Sequence, residues 1–275
     1  MSRRFSFYFL MFFLTEITSL SAQDFPKRLS SLDWQRQKLA PGLVLKSVHT
    51  ADLYQSKQYI NVLMVRRKRR LSIEYLNSDL KPTSWFAENA GALAAVNAGF
   101  FNMKNGGSVT YLKVDDTVVN GQRTDAAYLT NSCLAVDERQ RLHILAMADT
   151  AFLSGADSYE DALFTGPLLL WQGQAVSRFI PATDIRHPRT CACSLPNGNT
   201  LLITVDGRHA EAQGMTLPEL TRLMQGLGCR NGINLDGGGS TTMWVKDQGI
   251  VNHPSDNKSF DAAGERKVAN VILVN

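Results

Sequence analysis

The segment most suited to chemistry is 233–242, which reads INLDGGGSTT. A short apolar run ends in one carboxylate, Asp236, and three glycines and three hydroxyl residues follow it. Glycine adopts backbone conformations that other residues rarely adopt, and it lets a ligand approach the main chain closely. The segment therefore predicts a tight turn that holds an anion or a sugar beside a positioned acid. A Gly-rich β-turn with a solvated acid is the simpler alternative.

A second acid, Asp206, ends another apolar run and begins the segment DGRH at 206–209. Arg208 could neutralise a phosphate, and His209 could donate or carry a proton near neutral pH. Glu211 is a further candidate for proton transfer. The alternative is a turn in which Asp206 and Arg208 form a salt bridge.

Two other segments carry polar groups suited to a sugar phosphate. Arg189, in the segment HPRT at 187–190, offers a planar fork that fits phosphate or carboxylate. Asn97 and Phe100, in the segment NAGFF at 97–101, offer an amide and an aromatic face that suit a sugar. A surface arginine and ordinary core packing are the respective alternatives.

Common hydrolase and nucleotide motifs do not fit the glycine segment. No lysine follows the glycines, so the segment is not a phosphate-binding P-loop. It also lacks the G-x-S-x-G pattern of serine hydrolases. Ser240 and Thr241 are therefore interpreted as hydrogen-bond donors to a ligand, together with the amides of Gly237, Gly238 and Gly239.

The elements that must position these residues can be read from periodicity. Thr216 and Glu219 form a capping box, and apolar residues then recur at helical spacing up to Leu227. Strands are predicted at Leu201–Asp206 and Ile233–Asp236, on either side of that helix. Such a βαβ unit favours a parallel strand pair with both carboxyl ends at one edge. Asp206 and Asp236 would then face one cleft, shared with Arg189 and Arg208.

The rest of the chain reads mainly as strands, with helices predicted at Ser84–Ala92 and Asp157–Leu163. The fold class predicted is α+β, a mixed sheet with several antiparallel strands, a βαβ unit and a few packed helices. One domain is predicted over 23–275, with N-terminal strands in 23–96 and a motif-bearing core in 97–275. Further strands are predicted at Val44–Val48, Tyr59–Val65, Leu71–Leu76, Ala94–Asn97, Thr110–Val114, Cys133–Val136, Leu142–Ala146, Leu168–Trp171 and Thr200–Val205.

The first 22 residues have the pattern of a secretory signal peptide. Two arginines precede an apolar run, and small residues offer a cleavage site. The run is too short to span a bilayer, so an exported protein is predicted, periplasmic or extracellular, with no membrane span. The net charge of +4 argues against nucleic acid as a partner. The basic run at 66–70, RRKRR, is interpreted as a charged connection between two strands.

The sequence alone does not decide whether the protein binds a metal ion or forms a disulfide. No cofactor is required by any motif, although the acidic pair Asp115 and Asp116 could hold calcium. The four cysteines lack the paired spacing of a zinc site. An exported protein can contain a disulfide, so one disulfide and free buried thiols are both open. The spacing of the cysteines does not dictate the pairing. The cysteines are Cys133, Cys191, Cys193 and Cys229.

The ordered set of motifs resembles the phosphodiester glycosidase family from about Asn97 to Asn275, whereas the region before Asn97 carries none of them. The set consists of NAGFF at 97–101, GP at 166–167, HPRT at 187–190, DGR at 206–208, GMTLxEL at 214–220, NLDGGGST at 234–241, NxP at 252–254 and ERxVAN at 265–270.

The resemblance implies hydrolysis of the glycosidic bond of a sugar-1-phosphodiester, with release of free sugar and a phosphomonoester. It implies an activity like that of an alpha-N-acetylglucosaminidase, with Asp236 as the first choice for nucleophile or base and Asp206 as the second. The partner expected is a sugar-1-phosphodiester or phosphoglycan substrate. Two alternatives remain, namely a non-catalytic protein that binds glycans or sugar phosphates on the same scaffold, and a phosphodiesterase that cuts the P–O bond.

Overall fold

The computed structural model describes residues 25–122, 130–146, 156, 158–176 and 185–275. The predicted signal peptide, 1–22, lies outside the described residues. Within them, no helix combines the length and the apolar character needed to cross a bilayer.

Strands dominate the described residues, and all of their pairings are antiparallel. The fold is therefore mixed but richer in strand than the sequence predicts. The strands are β1 (Gln35–Ala40), β2 (Leu43–Leu53), β3 (Ser56–Val65), β4 (Leu71–Tyr75), β5 (Lys81–Pro82), β6 (Ala94–Asn97), β7 (Leu112–Val114), β8 (Thr117–Asn120), β9 (Ser132–Val136), β10 (Leu142–Ala146), β11 (Asp161–Thr165), β12 (Leu168–Trp171), β13 (Gln174–Ala175), β14 (Arg189–Ser194), β15 (Thr200–Val205), β16 (Asn231–Asn234), β17 (Met243–Val245), β18 (Gly249–Ile250), β19 (Lys267–Val268) and β20 (Asn270–Val274).

Three sheets surround the largest apolar core. The first sheet has the order β1-β2-β3-β15-β14-β16-β12-β13, the second β18-β17-β6-β20-β4, and the third β10-β9-β11-β7-β8. Each contributes buried side chains to one cluster, such as Leu202, Ile272 and Leu134. A short two-stranded sheet pairs β19 with β5.

Helices cover the outer faces of two sheets. Helices α1 (Phe25–Ser30) and α3 (Leu217–Gly226) pack on the first sheet, where α3 buries Leu220 and Leu223 completely. Helix α2 (Thr83–Ala90) packs on the second sheet. The capping box predicted for α3 is present, because Glu219 N–H donates to Thr216 Oγ1 and Thr216 N–H donates to the Glu219 carboxylate.

The strand–helix–strand unit is present, but its two strands do not pair. Strand β14 lies between β15 and β16 and runs antiparallel to both. The predicted parallel pair is therefore wrong, since a strand from earlier in the chain takes the place between them. The two strands still run in the same direction, so their carboxyl ends lie at one edge, as predicted.

The helix predicted for Asp157–Leu163 is also wrong over its described residues, because 158–160 form a turn and Asp161–Thr165 forms the central strand β11 of the third sheet. All five of its residues are buried between β9 and β7. The apolar stretch Ala162–Phe164 is too short to distinguish a buried strand from a helix by periodicity.

One disulfide joins Cys193 on β14 to Cys229 in the turn after α3. Cys133 and Cys191 are free and buried. The bond therefore fastens α3 to the middle of the first sheet.

Candidate active site

The glycine loop begins where β16 ends and is held by the residue after β6 and the residue before β14. Asp236 N–H donates to Ala98 O at 2.9 Å, and Gly238 N–H donates to Pro188 O at 2.9 Å. A methyl group on Gly237 would lie 2.7 Å from the Pro188 carbonyl oxygen. Gly238 has a φ of 61°. These two positions therefore require glycine, one for close approach and one for backbone conformation.

The Asp236 carboxyl group stands at the head of this loop. Its Oδ1 accepts the Gly237 N–H at 3.0 Å. Burial raises the pKa of Asp236 to about 6, although Ser240, the Gly237 amide and the charge of Arg266 act in the opposite direction. A carboxyl group with a pKa near 6 can be ionised at neutral pH and still exchange a proton readily, as acids and bases in active sites do.

Arg208 lies directly against the glycine loop. A methyl group on Gly238 would come within 2.9 Å of Nη2 of Arg208. Arg208 is exposed and has a positive φ of 63°. The turn after β15 thus directs this guanidinium group towards the loop that carries Asp236.

Arg189 supplies a second cation to the same region. It begins β14, and its Nε donates to Met215 O at 2.9 Å and its Nη2 to Ile185 O at 3.2 Å. Burial and the nearby charge of Arg208 lower the pKa of Arg189 to about 10. Burial and the same two arginines also lower the pKa of His187.

Neither Arg189 nor Arg208 forms an ion pair with an acid in the described part of the chain. The two positive charges repel each other, and no carboxylate pairs with either one. A bound anion would lower this unfavourable electrostatic energy. The arrangement therefore favours a phosphate or a similar oxyanion as the ligand here.

Asp206 lies behind the loop, with its carboxyl group fully enclosed. Its Oδ1 accepts from Asn252 Nδ2 at 3.0 Å, while Oδ2 accepts from the backbone N–H of His253 at 2.8 Å and lies 2.8 Å from Nδ1 of that ring. Only 1% of Asp206 is exposed. Burial raises its pKa against the lowering effect of these hydrogen bonds.

Asn252 couples Asp206 to the glycine loop. Its Nδ2 also donates to Thr241 O at 3.0 Å, and its Oδ1 accepts the Met243 N–H at 2.8 Å. Asp206 therefore positions His253 and the loop rather than facing a ligand itself. Asp206 and Asp236 both lie at one edge of the sheet. Asp236 stands at the glycine loop, whereas Asp206 lies behind that loop.

His253 is a candidate functional residue that the sequence analysis missed. When Nδ1–H of His253 donates to Asp206, Nε2 of the neutral ring carries no hydrogen and can accept a proton. The ring stacks on Phe260 at 3.7 Å and meets the edge of Tyr59 at 4.6 Å, so its orientation is fixed on three sides. Its position in the NxP motif at 252–254 was the available signal.

His209 presents the opposite tautomer. Its Nδ1 accepts the Glu211 N–H at 3.1 Å within a tight turn, which leaves Nε2 as a donor in the neutral ring. It stacks on Phe260 at 5.2 Å. Glu211 itself forms a surface ion pair with Lys57 at 2.8 Å, so its carboxylate already has a partner within the protein.

Asn97 has all of its polar atoms occupied within the protein. Its Oδ1 accepts from Thr190 Oγ1 at 2.7 Å and from Thr242 N at 3.1 Å, and its Nδ2 donates to Asp236 O at 2.6 Å. It is 1% exposed and therefore shapes the backbone that carries Asp236. Phe100 follows on the partly exposed side of the same segment.

The hydroxyl residues of the loop point inward. Ser240 and Thr241 are buried. The Ser240 side chain acts on Asp236, whose pKa it lowers by hydrogen bonding, whereas the Thr241 hydroxyl group finds no hydrogen-bond partner among the described residues. The Gly238 N–H already donates to the Pro188 carbonyl oxygen, and the Gly237 N–H already donates to the Asp236 carboxylate. Gly239 is buried against the Asp256–Arg266 ion pair.

A metal centre is not evident in the described part of the chain, where no three potential ligands of the His, Cys, Asp or Glu type converge. Asp115 and Asp116, the calcium candidates, form the turn between β7 and β8. Asp116 pairs with Lys113 at 3.1 Å.

Comparison with known proteins identifies a family and a shared fold. The family model described as phosphodiester glycosidase matches residues 90–275. The catalytic domain of zebrafish N-acetylglucosamine-1-phosphodiester alpha-N-acetylglucosaminidase, auto-inhibited by its pro-peptide, is similar with a TM-score of 0.67 and 17% identity, over 88% of this chain and 87% of that one. A hypothetical protein from Synechocystis is similar with a TM-score of 0.65 and 15% identity, over 88% of this chain and 63% of that one.

At these identities the two structures establish a shared fold. A sequence relative, the SPbeta prophage-derived uncharacterized protein YomE of Bacillus subtilis, is 36% identical over 73 residues, which make up 26% of this chain and 11% of that protein. The chain thus spans about a tenth of the length of that relative. Because the family model covers well over half of the chain, the chain belongs to the phosphodiester glycosidase family.

Proposed function

We propose that this protein hydrolyses the bond between the anomeric carbon of a sugar and the oxygen of a phosphodiester, releasing free sugar and a phosphomonoester. The observation that carries the proposal is the pair Arg189 and Arg208, which lies beside the Asp236 loop without an acidic partner among the described residues. The membership of the phosphodiester glycosidase family supports it.

The two guanidinium groups would hold the phosphodiester and neutralise its leaving oxygen. As the glycosidic C–O bond lengthens, its electron pair moves to the phosphate oxygen. Groups already placed where charge develops stabilise the transition state most. A phosphate monoester also leaves more easily than an alcohol, so two cations can replace much of the work of a general acid.

Asp236 would act on the sugar side of the same bond. The transition state of glycoside hydrolysis has oxocarbenium character, and a carboxylate close to the anomeric carbon stabilises it. The carboxylate must be ionised for this role. With a pKa of about 6, Asp236 meets that condition above roughly pH 6.

The Asp206–His253 pair would activate the water. Nε2 of His253 accepts a proton as the water oxygen bonds to the anomeric carbon, and Asp206 stabilises the imidazolium that forms. The proton ends on His253 and the electron pair of the broken bond ends on the phosphomonoester, so the step balances. Phe260, Tyr59 and His209 would keep this ring in place.

We also propose that the protein is exported, to the periplasm or the cell exterior. The apolar run after Arg3 and Arg4 supports this location. The Cys193–Cys229 disulfide supports it as well, because such bonds persist in oxidising compartments.

The proposal is tested by a screen of sugar-1-phosphodiesters with identification of the products, comparing the protein with Arg189→Ala. The expected result is free sugar plus phosphomonoester, with a loss of about 10²-fold or more in kcat/KM for Arg189→Ala. On a neutral aryl glycoside the same substitution should cost far less, because no phosphate is held. Arg189→Lys should recover part of the loss, since it keeps the charge but not the fork.

Arg230→Ala removes an exposed arginine elsewhere and should change neither activity. Equal loss on both substrate classes in Arg189→Ala would argue against a phosphate-holding role. Binding of sugar phosphates without any turnover would favour the non-catalytic alternative.

A further inference from the structure

The basic run at 66–70 forms the connection between β3 and β4, as the sequence analysis predicts, and it lines a concave surface. The cavity has a volume of about 930 Å³. This lies within the range of about 300–1,000 Å³ that is usual for ligand pockets. Its lining includes the five cations Arg66, Arg67, Lys68, Arg69 and Arg70 and the amide of Asn199.

The side-chain charge of this cavity, hereafter the basic cavity, is of one sign. No aspartate or glutamate belongs to its lining. None of its five cations forms an ion pair with an acid among the described residues. The whole chain carries only four more basic than acidic residues. The basic cavity is therefore a local concentration of charge and does not reflect a generally basic protein.

The turn that carries these cations is fixed by hydrogen bonds of its backbone. Arg66 N–H donates to Gly42 O at 2.9 Å, and Arg69 N–H donates to Arg66 O at 2.8 Å. Arg67 N–H donates to Oδ1 of Asn199 at 3.1 Å. The positive charges are thus held close together by the fold, which raises their mutual repulsion until an anion binds.

The basic cavity is separate from the candidate active site. Val65, at the end of β3, is the register partner of Thr200, at the start of β15. Asp206 follows the other end of β15. Six strand residues separate the two ends, which corresponds to roughly 20 Å at about 3.4 Å per residue. The residues that line the basic cavity are therefore distinct from those of the candidate active site.

We propose that the basic cavity is a second binding site, and that it holds a strand of a linear polymer with repeated phosphate groups. Four of the five cations are arginines, whose planar fork matches phosphate oxygens in two hydrogen bonds. Several cations in series suit several phosphates of one chain better than one small anion. Binding does not depend on the proposed glycosidase activity.

An anionic membrane surface shares the phosphate chemistry but fits the geometry less well. The cavity is concave, so a flat bilayer would contact its rim only. None of the large exposed apolar side chains of the described residues, Trp85, Met103, Val118 and Ile185, lines it. Peripheral membrane sites usually combine basic residues with apolar side chains that insert.

The test measures binding of long-chain inorganic polyphosphate to the full chain and to the triple variant Arg66→Gln/Arg67→Gln/Arg70→Gln. Arg69 is kept because its Nε donates to Pro41 O at 2.8 Å. The matched control, Arg36→Gln/Arg222→Gln/Arg230→Gln, removes three exposed arginines elsewhere. Inorganic phosphate and vesicles of phosphatidylglycerol serve as the other probes.

The expected result is polyphosphate binding that weakens steeply with salt and loses at least about tenfold in affinity in the triple variant, but not in the control. Phosphate alone should bind weakly, and turnover of a short sugar-1-phosphodiester should be unchanged in both variants. Equal loss in the two variants, or no binding to polyphosphate, would overturn the proposal. Vesicle binding without polyphosphate binding would assign the surface to a bilayer instead.

Discussion

At the scale of single residues, the site depends on acids whose surroundings give them different roles. Asp236 stands at the loop with one oxygen on the Gly237 amide, whereas both oxygens of Asp206 are occupied by Asn252 and His253. Burial and hydrogen bonding differ between the two carboxylates. One can therefore act as an electrostatic stabiliser and the other as a positioning group.

Substitution of Asp236 by asparagine should lower the activity and raise the stability of the protein. Turnover should fall by about 10³-fold or more, since the charge that stabilises the transition state is lost. Because burial raises the pKa of Asp236 to about 6, the ionised form destabilises the folded state as the pH rises from about 4 through 6. Asp236→Asn should therefore raise the free energy of unfolding at pH 7 by roughly 1–3 kcal/mol.

Urea unfolding at pH 7 and at pH 4 measures this effect, which should be much smaller at the lower pH because the carboxyl group is then neutral in the folded state and only partly ionised in the unfolded state. The control is Asp247→Asn, which changes an exposed acid and should shift neither quantity. The activity of the unchanged protein should also fall below about pH 6. A variant that loses stability at pH 7 would contradict the assigned ionisation.

His253 and Asp206 should act as one unit. His253→Gln and Asp206→Asn should each lower kcat by about 10²–10⁴-fold, and the double variant should lose little more than either one. Asp206→Asn should in addition change the pH profile of kcat/KM, because an amide can no longer stabilise the charged ring.

The Asp137–His143 pair offers a matched control on the third sheet, with Nε2 and Oδ2 at 2.9 Å. His143→Gln should leave kcat and its pH profile unchanged. Additive losses in the double variant of Asp206 and His253 would mean that the two side chains work independently, against the present account.

At the scale of elements, antiparallel pairing places the site. Strand β14 between β15 and β16 brings Arg189, Asp206 and the Asp236 loop to one edge of the first sheet. The sequence could predict the direction of β15 and β16 and the helix α3, because apolar periodicity and the capping box are local. It could not predict that β14 inserts between them, because that pairing depends on contacts far apart in the chain.

The Cys193–Cys229 disulfide should stabilise this arrangement of elements. The bond closes a loop between residues 36 positions apart, so its loss by Cys193→Ala/Cys229→Ala should cost about 4 kcal/mol of unfolding free energy by loop entropy. Thermal unfolding with and without a reductant measures the effect. The reductant should lower the melting temperature of the unchanged protein only, and an equal response of both proteins would contradict the assigned pairing.

At the scale of the whole molecule, three sheets share one core and carry the motifs to a common edge. The glycine loop, Arg189 and Arg208 could be recognised from their types and their order in the chain. Tyr59 and Phe260 could not, since their significance lies in contacts between the first sheet and the segment before β19, and His253 had only its place in the NxP motif as a signal. The enclosure of Asp206 likewise depends on Asn252, which is distant in sequence.

The most direct measurement of the central claim is hydrolysis of a sugar-1-phosphodiester in heavy-oxygen water, with mass spectrometry of both products. The account predicts the label in the released sugar, because water attacks the anomeric carbon and the glycosidic C–O bond breaks. Label in the phosphomonoester would mean cleavage of the P–O bond and would contradict the proposed glycosidase.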